Sequence, residues 1–219
     1  LAREYHPTFS VLPFTRHPRQ VLYPGAVVGS LTPPDERRAG IAARGADWLA
    51  EIPFSPELAA LEPLAFLEAL TGGRSWAGIV VGDDFAFGRE RRGNVSTIVD
   101  FFRGREGRAL IIPQYEVEGE RVSSSLIREQ LAGGRVEAAG RLLGRAYALS
   151  GVRERGDGIG AGLGFPTVNL GGVRTLLPGD GVYAVLLSVA GGPDLPGMGY
   201  VGVRPTLGTT RRVVECHVL

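Results

Sequence analysis

A carboxylate near the end of the sequence and a glycine-rich loop upstream of it are the residues best suited to chemistry. Glu215 lies in the strand-like run Val213–Leu219, and Gly164 begins a Gly-Phe-Pro-Thr-Val-Asn segment that ends at Asn169. Glycine lets backbone N–H groups approach phosphates, Thr167 and Asn169 offer neutral oxygens to a metal–nucleotide complex, and a carboxylate can accept a proton from an attacking hydroxyl. The pattern predicts phosphoryl transfer. The alternative is structural: Thr167 begins an ordinary strand and Asn169 forms a turn, while Glu215 lies on an exposed strand face.

A cluster of hydroxyl groups at a predicted helix start is a second candidate site. Ser123, Ser124 and Ser125 are followed by Arg128 about one helical turn later. A helix N-terminus favours anions, and a guanidinium group can bind phosphate oxygens through paired hydrogen bonds. The cluster is therefore a candidate triphosphate site. From spacing alone, a serine N-cap followed by a solvated arginine is the simpler interpretation.

Two further candidates lie in the first part of the chain. His17 precedes Pro18 at the predicted end of a strand, and it is either a nucleotide contact or a structural histidine. Asp84 lies in the Gly82–Gly88 loop, where it could hold a ribose or flavin group. The same loop could equally be a turn that ends a strand.

The first part of the chain alternates strand-like and helix-like segments up to about residue 143, which indicates a parallel α/β sheet. In such sheets ligands bind at the carboxyl ends of the strands, where the Gly82–Gly88 loop is expected. The predicted strands are Phe9–Phe14, Asp47–Ile52, Ala77–Val81 and Ala109–Ile112. The predicted helices are Pro34–Arg44, Glu62–Leu70, Asn94–Arg103, Ser124–Leu131 and Val136–Leu143.

After Gly144 the helical periodicity is lost and Gly and Pro become frequent, which predicts a small antiparallel barrel of short strands. The domain boundary is therefore expected near Gly144, giving domains 1–143 and 144–219. The predicted strands are Ala148–Glu154, Thr167–Leu170, Gly181–Val189, Gly199–Val203 and Val213–Leu219.

The composition indicates which partners and which cellular compartment to expect. The 219 residues carry 24 Lys+Arg against 23 Asp+Glu, a net charge of +1, so no global basic field favours nucleic acid. Cys216 is the only cysteine, which favours a reducing compartment and a core-filling side chain. No apolar run approaches the roughly 20 residues of a membrane span, so we expect a soluble, cytoplasmic protein. Because the only methionine is Met198, we expect the sequence to be part of a longer one.

The chain resembles the bacterial bifunctional riboflavin kinase/FMN adenylyltransferases, or FAD synthetases, over nearly its whole length. In the second part the resemblance runs through Leu143–Tyr147, Leu163–Leu170, Leu177-Pro178, Gly181–Ala184, Gly202–Thr206 and Glu215. In the first part it runs through Phe14–Pro18, Val21-Leu22, Leu31-Thr32, Gly82–Gly88 and Val122–Arg128.

For the second part, the resemblance implies a riboflavin kinase barrel. Thr167 and Asn169, in the family's Pro-Thr-x-Asn motif, would bind Mg²⁺ and ATP, and Glu215 would activate the ribityl 5′-hydroxyl of riboflavin. Gly156 and Gly160 match the Gly-x-x-x-Gly lead-in to the ATP-binding loop. This chain has Ala161 where the family usually has a basic residue after the second glycine, so we expect weaker ATP binding unless Arg153 or Arg155 substitutes.

For the first part, the resemblance implies a doubly wound nucleotidyltransferase that adenylylates FMN to FAD. The serine cluster with Arg128 would bind ATP, as would His17, while Asp84 and Phe85 would bind the flavin. Ser125 replaces the family's usual Thr. The family's His-x-Gly-His motif, which would precede Leu1, and its C-terminal helix, which would follow Leu219, are not in this sequence.

Three functional hypotheses follow from the residues and the resemblance. The first is a bifunctional enzyme that uses Mg²⁺ and ATP on riboflavin and FMN, with no nucleic-acid or membrane partner. The second is a riboflavin kinase whose first domain is an inactive scaffold, as the missing histidine motif would allow. The third is a non-catalytic flavin-sensing module, which the retention of Thr167, Asn169 and Glu215 disfavours. The oligomeric state is left open.

Overall fold

The computed structural model describes residues 8–74, 76–154, 167–189, 192–203 and 212–219. They form two compact units. The first comprises the described residues of Leu1–Val28 and Pro34–Glu116, and the second comprises Gly29–Pro33 with the described residues of Val117–Leu219. No helix among the described residues is long and apolar enough to cross a membrane.

The first unit alternates helices with short strands. Its helices are α1 (Pro18–Leu22), α2 (Pro34–Ala42), α3 (Pro56–Ala60), α4 (Pro63–Thr71) and α5 (Val95–Phe102), with a 3₁₀ turn at Arg89–Arg91. Its strands are β1 (Ser10–Val11), β2 (Trp48–Leu49), β3 (Gly78–Gly82) and β4 (Arg108–Ile112). A hairpin of β5 (Glu116–Val117) and β6 (Glu120–Arg121) lies where the units meet in sequence.

Parallel pairing confirms the α/β character of the first unit. β1 pairs with β2, and β3 pairs with β4, both in parallel. In the part of the chain that is described, these pairs are separate two-stranded sheets. The doubly wound strand order therefore stays a prediction.

The core of the first unit forms where α4 and α5 bury one side against β3 and β4. Asn94 caps α5 by accepting a hydrogen bond from the Thr97 N–H at 3.2 Å, which satisfies a donor that the helix leaves unpaired. The helical period then turns every third or fourth side chain of α5 inward. The buried residues are Phe66, Leu67, Phe87, Ile98, Phe101 and Phe102.

The second unit begins with a helix pair, α6 (Ser124–Ala132) and α7 (Val136–Leu143). Ile127, Leu131, Ala139 and Leu142 form a buried cluster between them. Helix α7 ends at Gly144, whose left-handed backbone (φ 66°, ψ 17°) is a conformation that glycine adopts without a steric penalty. The predicted end of the helical pattern at Leu143 is confirmed.

The remainder of the second unit is one five-stranded antiparallel sheet. Its strands are β7 (Val152–Glu154), β8 (Thr167–Gly171), β9 (Gly181–Leu187), β10 (Leu195–Val203) and β11 (Arg212–Val218). Their order is β7-β8-β11-β10-β9, and the sheet is open among the residues described. The antiparallel sheet is thus observed, whereas closure into a barrel stays a prediction.

Several predicted element bounds differ from those observed. The strand predicted over Ala148–Glu154 begins only at Val152, and the strand predicted from Gly199 begins at Leu195. The short helices α1 and α3 were not expected, nor was the β5–β6 hairpin. His17 was expected at the end of a strand, but it is the N-cap of α1, because Pro18 supplies the fixed φ of a first helical residue.

Candidate functional sites

The residues predicted for phosphoryl transfer lie in one cross-strand row of the five-stranded sheet. Glu215 of β11 pairs directly with Asn169 of β8. On its other side Asn169 pairs with Glu154 of β7, and Glu215 pairs with Tyr200 of β10. Residues directly opposite each other in a sheet project from the same face, with Cβ atoms about 4.5–5.5 Å apart. Asn169 is therefore flanked by two carboxylates.

Thr167 belongs to the same face, because it precedes Asn169 by two residues on β8 and strand side chains alternate. Its side chain is exposed, and its partner on β11 is His217. Asn169 and Glu215 are partly exposed, and both make polar interactions within the folded chain. The sheet thus brings together three of the predicted residues.

The opposite face of the sheet is its apolar core. Val201, Val214 and Cys216 are buried there. Because side chains alternate along β11, burying Cys216 turns its neighbour Glu215 to the polar face. Burial also raises the pKa of the Cys216 thiol, which fits a packing role rather than a reactive one.

An exposed apolar surface continues the polar face beyond Glu215. Tyr200 follows Glu215 in the row, and its hydroxyl donates to the Val203 carbonyl at 3.0 Å. Val182, paired with Tyr200, is 66% exposed, and Leu186 is 70% exposed. Met198 on β10 is also exposed. A flat aromatic ligand would find apolar contacts here, beside the Glu215 carboxylate.

Several predicted residues lie outside the described part of the chain. They are Gly156, Gly160 and Gly164 of the glycine-rich loop, Ala161 at the position of the missing basic residue, and Arg204 to Thr206 of the family string.

The serine cluster at the start of α6 is partly engaged in folding. Ser123 is the N-cap, and its hydroxyl accepts a hydrogen bond from the Leu126 N–H at 3.1 Å. Ser124 and Ser125 follow in the first turn with exposed side chains. The structure therefore divides the cluster into one capping hydroxyl and two that face outward.

Arg128 makes two hydrogen bonds to backbone carbonyls. Its Nε donates to the Gly29 oxygen at 2.9 Å, and a terminal nitrogen donates to the Ser124 oxygen at 3.1 Å. Partial burial lowers the pKa of this guanidinium, while the nearby Tyr147 acts in the opposite direction. Arg128 thereby ties Gly29–Pro33 to α6, a structural function that the sequence did not indicate.

His17 also has a structural function. Its Nδ1 accepts a hydrogen bond from the Arg19 N–H at 3.2 Å, and its own N–H donates to the Gln20 side chain at 3.3 Å. These reciprocal bonds form a capping box at the start of α1. A nucleotide contact would have to use the other ring nitrogen, Nε2.

Asp84 and Phe85 lie in the turn that follows β3. The Phe85 N–H donates to the Gly82 carbonyl at 3.1 Å, and the Asp84 side chain is exposed. The Phe85 ring stacks on Phe87 with centroids 5.5 Å apart, and it packs at the edge of the first unit's core. The predicted turn at the end of β3 is confirmed, and the two residues lie at the carboxyl end of a parallel strand as expected.

Sequence reasoning missed Glu154 as a member of the sheet site. Glu154 was assigned only to the end of a strand, and nothing in its local sequence marks it. The signal is the register between β7 and β8, which places it directly opposite Asn169.

Two family models match the chain. The model described as FAD synthetase matches residues 1–126. The model described as riboflavin kinase matches residues 143–219. The two matches follow each other along the chain in the order that the sequence motifs indicate.

Curated relatives combine both activities in their names. A bifunctional riboflavin kinase/FMN adenylyltransferase of Bacillus subtilis is 33% identical over 208 residues, which cover 94% of this chain and 65% of the relative. The protein of that name in Escherichia coli K12 is 33% identical over 212 residues, covering 95% of this chain and 67% of the relative. The chain therefore spans about two thirds of the length of these relatives.

A solved structure shares the fold. A crystal structure described as a macrolide-efflux protein from Streptococcus pneumoniae aligns with a TM-score of 0.86 and 27% identity. The alignment covers 100% of this chain and 71% of that chain.

Proposed function

The chain belongs to the family of bifunctional riboflavin kinase/FMN adenylyltransferases, and on that premise we propose that it makes flavin nucleotides. In the first reaction riboflavin and ATP give FMN and ADP. In the second, FMN and ATP give FAD and pyrophosphate. Matches to both family models favour the two activities over a kinase with an inactive scaffold and over a flavin sensor.

The observation that supports the kinase most directly is the register of β8 and β11. It places Asn169 opposite Glu215, with Thr167 two residues away on the same face. In the proposed reaction the Glu215 carboxylate accepts the proton of the ribityl 5′-hydroxyl. That oxygen forms a bond to the γ-phosphorus, the bond between this phosphorus and the β,γ-bridging oxygen breaks, and ADP leaves.

The donor set on this face fits a nucleotide-bound Mg²⁺. Thr167 offers a hydroxyl oxygen and Asn169 an amide oxygen, and Mg²⁺ in nucleotide sites takes a few protein oxygens together with phosphates and waters. When bound, the ion would neutralise charge on the transferred phosphoryl group. Thr167 and Asn169 would hold the phosphate chain beside Glu215, so that the hydroxyl that gives its proton to Glu215 would also face the γ-phosphorus, opposite the leaving oxygen.

The flavin ring of riboflavin would lie on the exposed apolar surface beyond Glu215. Val182, Leu186 and Met198 supply that surface, and Tyr200 separates it from the carboxylate. This position would direct the ribityl chain toward Glu215. Burying part of this surface would contribute about 25 cal/mol per Å² to binding.

For the adenylyltransferase, ATP would bind at the start of α6. The outward-facing Ser124 and Ser125 hydroxyls and the helix N-terminus would contact phosphates. The N–H groups of Arg128 that remain after its two backbone bonds would reach phosphate oxygens. Ser123 would act through the helix start that it caps. For the first unit by itself, we propose that His17 contacts a nucleotide through Nε2. Asp84 and Phe85 would bind the flavin part of FMN.

We also propose a fold for each part of the chain, a domain boundary and a cellular location. We propose that the five-stranded sheet belongs to a closed riboflavin-kinase barrel and that the first part of the chain is doubly wound. The proposed functional boundary lies between residues 143 and 144, with a cytoplasmic location for the whole.

Chromatographic separation of flavins tests the proposal directly. The full-length protein, incubated with riboflavin, ATP and Mg²⁺, should form FMN and then FAD, and chelation of Mg²⁺ should stop both steps. Formation of FMN without FAD would favour the kinase-only alternative. Riboflavin binding without any FMN would overturn the kinase assignment.

A further inference from the structure

The carboxylate of Glu154 has no part in the proposed phosphoryl transfer, although it borders the proposed metal–nucleotide site. Glu154 pairs with Asn169 on the side away from Glu215. The backbones of Glu154 and Glu215 are two strand spacings of about 4.8 Å each apart, with Asn169 between them. Glu154 is therefore the immediate neighbour of Asn169.

Gly171 provides the space that the Glu154 side chain occupies. It lies on β8 two residues beyond Asn169, and a Cβ atom built there would overlap the carboxyl group of Glu154. The backbone of Gly171 is outside the left-handed region, so a side chain here would conflict through space alone, and the flexible Glu154 side chain would have to move. The absence of a side chain at Gly171 thus leaves space for the Glu154 carboxyl group on the polar face of the sheet.

The charges at the site indicate what this carboxylate does. Thr167 and Asn169 are neutral donors, and the proposed reaction reserves Glu215 for the proton. Mg²⁺ at nucleotide sites usually keeps several waters and is bound through one or two carboxylates in addition to the phosphates. Among the described residues of this row, Glu154 is the carboxylate left for the metal.

We propose that Glu154 is a positioning residue of the kinase site and that it accepts hydrogen bonds from water molecules on nucleotide-bound Mg²⁺. The inference rests on the proposed kinase function. It assigns to Gly171 the function of keeping that carboxylate in place. Outer-shell partners of this kind orient a metal without contacting it directly.

Binding of ADP by the full chain, measured by calorimetry with Mg²⁺ and again with a chelator, tests this assignment without turnover. Glu154→Gln keeps the size of the side chain and removes its charge. We expect it to weaken Mg²⁺–ADP binding about 10- to 100-fold while metal-free ADP binding changes by less than about twofold. Glu120→Gln removes an exposed carboxylate elsewhere in the same unit and should change neither affinity.

A cycle with Gly171 separates positioning from simple damage to the sheet. Gly171→Ala should weaken Mg²⁺–ADP binding in the parent chain, because the new methyl group displaces the carboxylate. In a Glu154→Ala background the same change should have no further effect, because the side chain that it would displace is gone.

Two results would overturn the assignment of Glu154. One is an unchanged Mg²⁺–ADP affinity in Glu154→Gln. The other is an equal loss of affinity with and without the metal, which would mean that Glu154 contacts the nucleotide or supports the fold. A parent chain that neither binds Mg²⁺–ADP nor forms FMN would instead overturn the proposed kinase, and this inference with it.

Discussion

The two nucleotide sites predicted from the sequence differ in how their side chains are used in the folded chain. On the sheet, Asn169 and Glu215 lie on the face opposite the apolar core. At the start of α6, Ser123 caps the helix and Arg128 donates to two backbone carbonyls. On the sheet, the proposed chemistry and the apolar packing use opposite faces, whereas at the start of α6 Ser123 and Arg128 already serve the fold.

This difference follows from the geometry of the two elements. A strand turns alternate side chains to opposite faces, so one face can be buried while the other binds ligands. A helix start leaves several N–H groups without partners, and a hydroxyl at the N-cap position satisfies one of them. Substitutions on the polar face of the sheet should therefore change activity far more than stability, while those at Ser123 and Arg128 should also change stability.

The largest expected effect is at Glu215. Glu215→Gln should lower the rate of FMN formation about 10²- to 10⁴-fold, because the amide cannot accept the proton of the attacking hydroxyl. Its free energy of unfolding should change by less than about 1.5 kcal/mol, because Gln keeps the size of the side chain and a single polar interaction contributes no more than that. Steady-state kinetics and thermal melting measure the two quantities. Turnover within about threefold of the parent chain would remove Glu215 from the role of base.

A smaller and more selective effect is expected at Arg128. Arg128→Ala should lower FAD formation from FMN about 10- to 100-fold, since a hydrogen bond to a charged group contributes about 1.5–3 kcal/mol. FMN formation from riboflavin should be spared in the same preparation. The melting temperature should also fall, because the bond to the Gly29 carbonyl is lost. Equal losses in both reactions below the melting temperature would mean that the two sites depend on each other.

Truncation tests whether the helix pair belongs with the sheet. A variant that begins at Leu142 should still phosphorylate riboflavin, because it keeps Thr167, Asn169 and Glu215. It loses the bond from the Gly179 N–H to the Leu131 carbonyl, at 2.8 Å, together with the buried side chains of α6.

The matched control for that truncation begins at Val122 and keeps both helices. It should be more stable by at least about 3 kcal/mol, because burying each large apolar side chain contributes about 1.5–3 kcal/mol. Denaturant unfolding compares the two variants. A folded but inactive Leu142 variant would mean that the kinase needs the helices for more than stability.

Sequence patterns predicted the long elements of the fold well. Helices α4 to α7 are observed within about two residues of the predicted bounds, because each has a helical apolar period and the first three also have a Pro, Asn or Ser start signal. Helix α3 was missed because its five residues, Pro56–Ala60, are too few to show that period. Helix α1 was missed for the same reason, since Pro18–Leu22 also has five residues.

The candidate sites were predictable only in part, because register and contacts are non-local. Thr167, Asn169 and Glu215 could be named from their types and from the family motif, but Glu154 could not. Its pairing with Asn169 joins two strands that are separated in the sequence by residues 155–166, which lie outside the described part of the chain. The bond of Arg128 to Gly29 spans 99 residues, so no local pattern could indicate it.

The smallest effects should separate the hydroxyls of the α6 cluster. Ser123→Ala removes the N-cap and should lower the free energy of unfolding by about 1 kcal/mol. At a temperature well below melting, FAD formation should stay within about twofold of the parent chain, because the hydroxyl already accepts a hydrogen bond from the Leu126 N–H.

Ser125→Ala should act in the opposite way. Its exposed hydroxyl supports no helix, so stability should change by less than about 0.5 kcal/mol. The KM for ATP in FAD formation should rise about 3- to 10-fold, as the loss of one hydrogen bond to a phosphate predicts. If Ser123→Ala raised this KM and Ser125→Ala did not, the capping hydroxyl would also have to bind the nucleotide. Ser123 would then serve both the helix and the nucleotide, as Arg128 is proposed to do.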